Sequence, residues 1–243
     1  MDWITAIGRR TSRRSYVSCP TPEEMEQLQQ AIDHANSDSG LTITLAEDGS
    51  EAFSLGKSYG MFRGVQTLIV LKGPSHLPHL KEKVGWYGEK LILIATAMGL
   101  GTCWVGGTFD KDALETPEDE EIICVVPVGH NAPKPSLKEK MIRGMIHRKT
   151  KSIREMVQRN RSLTPEEVQA MRLVQLAPTA RNTQKVTFIF LKDSVSASVP
   201  GTGNFDLVDL GICKLHYALG MNQGTFAPGN GGVYGVTESE LML

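Results

Sequence analysis

The sequence predicts an α+β fold made of two similar subdomains, and three observations favour it. Strand-like apolar segments at 41–45, 66–71, 121–129 and 186–190 alternate with helix-like segments. The tetrapeptide Thr-Pro-Glu-Glu occurs at 21–24 and again at 164–167, each time before a helix-like segment. A basic stretch, 134–154, connects the two copies. We therefore expect a first subdomain at 1–150 and a shorter one at 151–243, packed as a pseudo-dimer within one chain. The alternative is a chance recurrence of a short capping sequence.

The elements of the first subdomain follow from capping residues and apolar patterns. Asp2 is a suitable cap for a short helix that ends near Arg10, and Thr21 with Pro22 favours a longer helix from residue 22 onward. Glu23 and Glu24 suit the positive end of that helix. Strands are predicted at 41–45, 66–71 and 121–129, with an apolar helix at 88–100.

The second subdomain repeats this order over a shorter length. Thr164 and Pro165 predict the start of a helix, with Val168 and Met171 on its apolar face. A strand is predicted at 186–190 and a second helix at 209–220. The apolar helices at 88–99 and 209–220 each end in Ala-x-Gly, which supports the duplication.

Composition excludes several classes of function. Lys plus Arg number 26 and Asp plus Glu 27, so the net charge is −1, and this near-balance does not attract nucleic acid or an anionic membrane. The four cysteines are far apart, as expected of a reduced protein rather than a disulfide scaffold. The acidic N-terminus does not resemble a signal peptide, and the most apolar run, 91–97, is too short to span a bilayer. We expect a cytoplasmic protein with a small-molecule partner.

The segment from Arg10 to Tyr16 places two guanidinium groups at Arg10 and Arg14, with Ser12 between them. Guanidinium groups bind phosphate oxygens two at a time, and a serine hydroxyl can bind another oxygen. The segment therefore indicates a phosphate site. The alternative is a solvated basic patch.

Glycines and an asparagine loop mark two further candidate sites. Gly106 and Gly107 follow a strand-like Cys-Trp-Val, where small residues allow either a cofactor or a neighbouring helix to approach the backbone. The loop 177–184, Ala-Pro-Thr-Ala-Arg-Asn-Thr-Gln, has no counterpart in the first half, and the arginine segment has none in the second. Each half thus holds a motif that the other lacks.

Three motifs in this order resemble those of the FMN-dependent nitroreductase family. The family's Arg-x-Ser-x-Arg-x-aromatic, Gly-Leu-Gly-Thr-x-Trp and Pro-Ser-x-x-Asn-x-Gln patterns are matched at 10–16, 99–104 and 178–184. The chain is most similar to the subgroup, related to a Thermotoga protein, in which two half-length units are fused. The resemblance implies a nitroreductase-like fold. It also implies one FMN per chain, held by the arginine segment of one half and the asparagine loop of the other.

The resemblance also implies which residues bind the cofactor. Arg10, Ser12 and Arg14 are expected at the FMN phosphate and ribityl chain, and Asn182 and Gln184 at the flavin edge. The full set is Arg10, Ser12, Arg14, Gly106, Gly107, Lys149, Lys151, Pro178, Thr179, Asn182 and Gln184. The sequence departs from the family in having Lys185-Val186 for Pro-Trp and Ala180 for a frequent serine. Lys149 and Lys151 match the family's late basic pair only loosely.

The implied activity is transfer of a hydride from NAD(P)H through the flavin to a small nitroaromatic or quinone-like acceptor. No catalytic side chain is required because the flavin carries the chemistry, and no metal is expected. Two alternatives remain: an FMN-binding sensor or storage module without turnover, and a duplicated scaffold whose basic connector docks an acidic partner. One chain completes the pseudo-dimer, and further homodimerisation is left open.

Overall fold

The structure is a computed structural model that describes residues 1–146 and 149–235. The chain divides into two compact units. The first unit is Arg9–Leu80 with Lys90–Ile146, and the second is Met1–Gly8, Lys81–Glu89 and His147–Leu243. Met1–Gly8 and Lys81–Glu89, which the sequence boundary at residue 150 assigned to the first subdomain, therefore cluster with the later residues.

Helices and strands alternate along the described chain. The helices are α1 (Trp3–Arg9), α2 (Pro22–Ser39), α3 (Leu55–Ser58), α4 (Leu80–Ala97), α5 (Leu137–Ile146), α6 (Pro165–Leu176) and α7 (Asp206–Met221). The strands are β1 (Thr44–Ala46), β2 (Leu68–Pro74), β3 (Gly101–Thr102), β4 (Glu120–Gly129), β5 (Val157–Arg159), β6 (Thr187–Phe190), β7 (Val195–Ser198), β8 (Thr225–Phe226) and β9 (Tyr234–Gly235). Short 3₁₀ turns lie at Ser50–Phe53, Ile153–Met156 and Ala180–Asn182.

The first unit is built on an antiparallel sheet with strand order β1-β2-β4-β3. β4 is almost continuously apolar and buried, as its run of isoleucine and valine predicts. Side chains from this sheet and from the flanking loops form one buried cluster. Its members are Tyr16, Ala52, Phe53, Val65, Leu68, Val70, Cys103, Val105, Phe109, Ile122 and Val125.

The second unit combines a mixed sheet with a helix pair. β5 runs parallel to β6, β6 runs antiparallel to β7, and β8 and β9 form a separate antiparallel pair. Aromatic rings fill the space against α7: Tyr217 stacks on Phe188 at a centroid distance of 5.2 Å, and Phe226 meets Tyr217 edge-on at 5.6 Å. Such ring pairs add to the free energy gained by burial.

Two glycines set a close contact within the second unit. A Cβ on Gly85, in α4, would lie 2.1 Å from the carbonyl oxygen of Val208. A Cβ on Gly211, in α7, would lie 2.0 Å from the carbonyl oxygen of Glu82. Backbone meets backbone at both points, so only glycine fits there.

The predicted helix starts are confirmed. Thr21 accepts a hydrogen bond from the N–H of Glu24 at 3.3 Å, and Thr164 accepts one from Glu167 at 3.2 Å. Both sites are capping boxes: the glutamate carboxylate accepts a hydrogen bond from the threonine N–H in return, at 2.7 Å in the first and 2.8 Å in the second. The two copies of Thr-Pro-Glu-Glu thus have the same local structure.

The basic stretch after Lys134 is not the simple connector that its composition predicted. It contains α5, which Ser136 begins: its hydroxyl accepts from the N–H of Glu139 at 3.2 Å, and Glu139 accepts from the Ser136 N–H at 2.8 Å. In the described ranges, no helix has the length and apolarity needed to cross a membrane.

Candidate functional site

The arginine segment lies beside β3 of the first unit and forms isolated β-bridges with its neighbours. The N–H of Arg13 donates a hydrogen bond to the carbonyl of Thr102 at 2.8 Å, and Ser12 forms a parallel β-bridge with Thr102. On the other side, the N–H of Arg63 donates to the carbonyl of Arg14 at 2.9 Å. The predicted arginine and Gly-Leu-Gly-Thr motifs are therefore neighbours in space.

Even-numbered residues of this segment face the buried side. Tyr16 is only 7% exposed, and its hydroxyl donates to the carbonyl of Arg13 at 2.7 Å. Arg14, Ser12 and Arg10 all act on the Cys103 thiol. Burial raises the pKa of Cys103, and the Arg14 charge, a hydrogen bond with Ser12 and the Arg10 charge oppose that rise. The three predicted phosphate residues therefore lie near one buried thiol.

Odd-numbered residues of the segment face the opposite side. There the Arg13 side chain is held by hydrogen bonds within the protein. Its Nε donates to Glu139 Oε1 at 3.2 Å and its Nη2 to the carbonyl of Ala132 at 2.9 Å. Glu139 also accepts from the Arg14 N–H at 2.7 Å. Burial raises the pKa of Glu139, but the hydrogen bonds from Arg14, Ser136 and Arg13 outweigh burial, so that the pKa is lowered overall. Arg13 and Glu139 fix the backbone of the segment.

The guanidinium of Arg14 has a different environment. It lies over the ring of Phe62, 6.0 Å from the ring centroid, and it is half-buried. Within 1–146 and 149–235, no carboxylate forms an ion pair with it, in contrast to Arg13. Arg14 therefore has a charged donor fork that internal ion pairing does not use.

The glycines of the first unit divide into two kinds. A Cβ on Gly101 would lie 2.2 Å from Asn131 Oδ1, so packing requires glycine there. Gly99 has a φ of +86°, so the backbone conformation favours glycine at that position. At Gly107, which is exposed, a Cβ would meet no described atom within 4 Å. Gly106 is half-buried beside it. Close packing against the Asn131 side chain thus accounts for Gly101, and no such contact accounts for Gly107.

In the second unit, a ring of hydrogen bonds joins Gln184, Lys151 and Gln175. Gln184 Oε1 accepts from the Lys151 N–H at 2.8 Å, and Lys151 Nζ donates to the Gln184 carbonyl at 2.8 Å. Gln175 Nε2 donates to the Lys151 carbonyl at 2.8 Å, and Gln184 Nε2 to the Gln175 carbonyl at 3.2 Å. Gln184 is 1% exposed. Its side chain therefore positions Lys151, a different role from the flavin contact that the sequence predicted.

The predicted asparagine loop has an unusual backbone. Arg181, Asn182 and Gln184 have φ values of +54°, +51° and +46°, a region that non-glycine residues adopt rarely. The Asn182 N–H donates to the carbonyl of Thr179 at 2.8 Å, and Thr179 Oγ1 accepts from the Gln184 N–H at 3.1 Å. Pro178, Thr179 and Asn182 are half-buried, and Lys149 is exposed.

Comparison with known proteins gives the family. The family model described as "Putative TM nitroreductase" matches residues 2–221. The chain belongs to this nitroreductase family. A search of curated protein sequences found no significant match.

Solved structures similar to this chain include a putative nitroreductase from Thermotoga maritima. It is 20% identical, the alignment covers 96% of this chain and 92% of that chain, and the TM-score is 0.64. A nitroreductase family protein from Clostridium difficile is 16% identical over 59% of this chain and 92% of its own, with a TM-score of 0.46. A nitroreductase with bound FMN from Bacteroides fragilis is 17% identical over 57% and 93%, with a TM-score of 0.46. The predicted α+β nitroreductase-like fold and Thermotoga-like subgroup are confirmed.

The sequence did not predict three residues that support the two motifs: Glu139, Gln175 and Asp209. Glu139 had a visible signal, since Ser136-x-x-Glu139 is a capping-box pattern. Gln175 and Asp209 act across 24 and 29 residues of chain, and no local pattern marks them.

Glu139→Gln should lower the free energy of unfolding by ~1–3 kcal/mol at neutral pH, because an amide cannot accept from all the donors that now meet the carboxylate. Since the folded state lowers the pKa of Glu139, its contribution is present above the unfolded pKa and is lost as the pH falls through the folded pKa. Urea unfolding at neutral and at acidic pH measures this difference. Exposed Glu118→Gln is the control, and an equal effect of the two variants at neutral pH would contradict the role of Glu139.

Proposed function

We propose that the protein is an FMN-dependent oxidoreductase that passes hydride from NAD(P)H, through the flavin, to a small nitroaromatic or quinone-like acceptor. The proposal depends chiefly on Arg10, Ser12 and Arg14 converging beside Cys103, with the Arg14 fork outside any ion pair of the described chain. Two guanidinium groups and a hydroxyl are the donor set that a phosphate monoester needs. Membership of the nitroreductase family supports the same class of reaction.

The residues present fit FMN chemically. Arg10, Ser12 and Arg14 would hold the phosphate, and Asn182 offers an amide donor and acceptor for the polar edge of the flavin or its ribityl hydroxyls. When bound, FMN would supply the two-electron chemistry, so the protein's part is to bind and orient. The exposed backbone at Gly107 leaves room for a ring system that a larger side chain would restrict.

We also propose that residues of the second unit bind FMN. Thr179, Asn182 and Lys151 would be the binding residues there. Gln184 would act indirectly, because its side-chain amide already bonds to Lys151 and Gln175.

Reconstitution of the full chain with FMN tests the proposal. We expect a yellow protein with about one FMN per chain. NADH or NADPH oxidation, with a quinone or a nitroaromatic as acceptor, should exceed that of free FMN. Stoichiometric binding without turnover would favour the sensor or storage alternative. A colourless protein that gains no visible absorbance with FMN would overturn the proposal.

A further inference from the structure

The asparagine loop is tied to α7 through a buried carboxylate. The Ala180 N–H donates to both oxygens of Asp209, at 3.0 Å to Oδ1 and 3.1 Å to Oδ2. Asp209 lies in the first turn of α7 and is 3% exposed. Ala180 immediately precedes Arg181 and Asn182, the first two residues of the loop with positive φ. The carboxylate therefore holds the loop at the residue where its unusual backbone begins.

Such a backbone needs external support. Each residue in a sparsely populated φ/ψ region persists only where the surrounding structure holds it. Two anchors are present: Asp209 at Ala180, and the bonds of Gln184 to Thr179, Lys151 and Gln175. The Gln184 anchor consists of hydrogen bonds with the Thr179 hydroxyl, with Lys151 and with the Gln175 carbonyl. The Asp209 anchor can change with protonation.

We infer that Asp209 is a positioning residue that fixes the 178–184 loop when it is ionised and loosens it when it is protonated. The consequence for FMN depends on the proposed function, whereas the effect on the loop does not. A hydrogen bond from an N–H to a carboxylate is roughly twice as strong as one to a neutral acceptor. The Ala180 N–H lowers the pKa of Asp209 although burial raises it overall. While the carboxylate stays buried it therefore ionises more readily with this bond made, and ionisation in turn favours the bonded loop.

The charges around Asp209 place this change near neutral pH. Burial raises the pKa of Asp209 to about 7; the Ala180 N–H and the Lys185 charge oppose the rise, and the Asp206 charge adds to it. Lys185 and Asp206 are themselves paired at 2.9 Å. Cys213 lies one helical turn further along α7, and the Asp209 charge contributes to its raised pKa. These are the titratable groups that act on the carboxylate within the described residues.

Hydrogen exchange tests the loop without any ligand. In the full chain free of FMN, peptides covering 178–184 should gain about fivefold protection between pH 6 and pH 8, after correction for intrinsic exchange, because a stronger bond holds Ala180. Asp209→Asn keeps an acceptor for Ala180 but cannot ionise, so its protection should not change with pH. Asp193→Asn, at an exposed site, should behave like the wild type. Equal pH dependence in Asp209→Asn and the wild type would overturn the inference.

FMN titration then separates the inference from the proposed function. The wild-type affinity for FMN should rise about fivefold more than that of Asp209→Asn between pH 6 and pH 8. Titration of the FMN phosphate itself is common to both proteins and cancels in the comparison. If the wild type binds no FMN, the proposed function fails and the exchange result still decides the inference. FMN binding with the same pH dependence in both proteins would overturn the link from the loop to the cofactor.

Discussion

Arg14→Ala is expected to weaken FMN binding by about 10- to 100-fold, since a charged hydrogen-bonding group contributes ~1.5–3 kcal/mol. The backbone of Arg14 is held by Glu139 and Arg63, so removal of the side chain leaves the segment in place. The loss should therefore appear in the Kd for FMN and not in the urea unfolding midpoint of the FMN-free protein. Fluorescence titration of the stripped protein measures the Kd.

Two matched variants sharpen this result. Arg14→Lys keeps the charge but loses the planar fork, so its affinity should lie between those of the wild type and Arg14→Ala. Arg9→Ala removes the same charge from an exposed residue just before the segment, at the end of α1, and should change the Kd little. Equal effects of Arg9→Ala and Arg14→Ala would mean that net charge, and not a built phosphate site, governs FMN binding.

Asn182→Ala tests whether the two motifs serve one cofactor. If they do, it should also weaken FMN binding, and the stoichiometry should remain one FMN per chain in each variant that still binds. The double variant with Arg14→Ala reports the coupling between the two side chains. Unchanged affinity in Asn182→Ala would remove the asparagine loop from the proposed site.

The arginine segment shows what sequence can predict about the site. An extended strand places alternate residues on opposite faces, so Arg10, Ser12 and Arg14 could be grouped from spacing alone. Tyr16 fixes which face is buried, because its ring belongs to the core of the first unit. The neighbouring Arg13 has the same chemistry, but pairing with Glu139 gives it a structural role that only the fold reveals.

Gln184 is a residue whose contacts could not be predicted from the sequence. Its type and position suit a cofactor contact, yet its two amide atoms bond to Lys151 and Gln175, 33 and 9 residues away. Whether a polar side chain meets a ligand or the protein's own backbone depends on which backbone groups the fold brings beside it. The same holds for Asp209, whose partner, Ala180, is 29 residues distant.

The prediction of a simple connector after Lys134 was wrong for a different reason. Its composition is dominated by charge, and charge predicts solvation rather than secondary structure. The capping interactions of Ser136 with Glu139 were nevertheless present in the sequence and begin α5. Local capping chemistry is thus a better guide there than average composition.

The largest loss of stability is expected from Lys214→Ala. Lys214 is 1% exposed, and its Nζ donates to Glu82 Oε1 at 2.5 Å and to the carbonyls of Ala227 and Gly229 at 3.1 and 2.8 Å. Glu82 Oε2 accepts from the Gly229 N–H at 2.7 Å. Removal of the ammonium leaves a buried carboxylate and two carbonyls without their donor, which costs about 3–5 kcal/mol. Urea unfolding at neutral pH measures the loss.

Two further variants identify the cause of the stability loss in Lys214→Ala. Lys192→Ala, which removes an exposed lysine, should change the free energy of unfolding by less than about 0.5 kcal/mol. Adding Glu82→Gln to Lys214→Ala removes the uncompensated charge, so the double variant should be more stable than Lys214→Ala alone. If the second substitution instead adds its own full cost, the loss in Lys214→Ala comes from packing of the buried lysine side chain. Charge would then have little part in holding the segment 227–229 to α7.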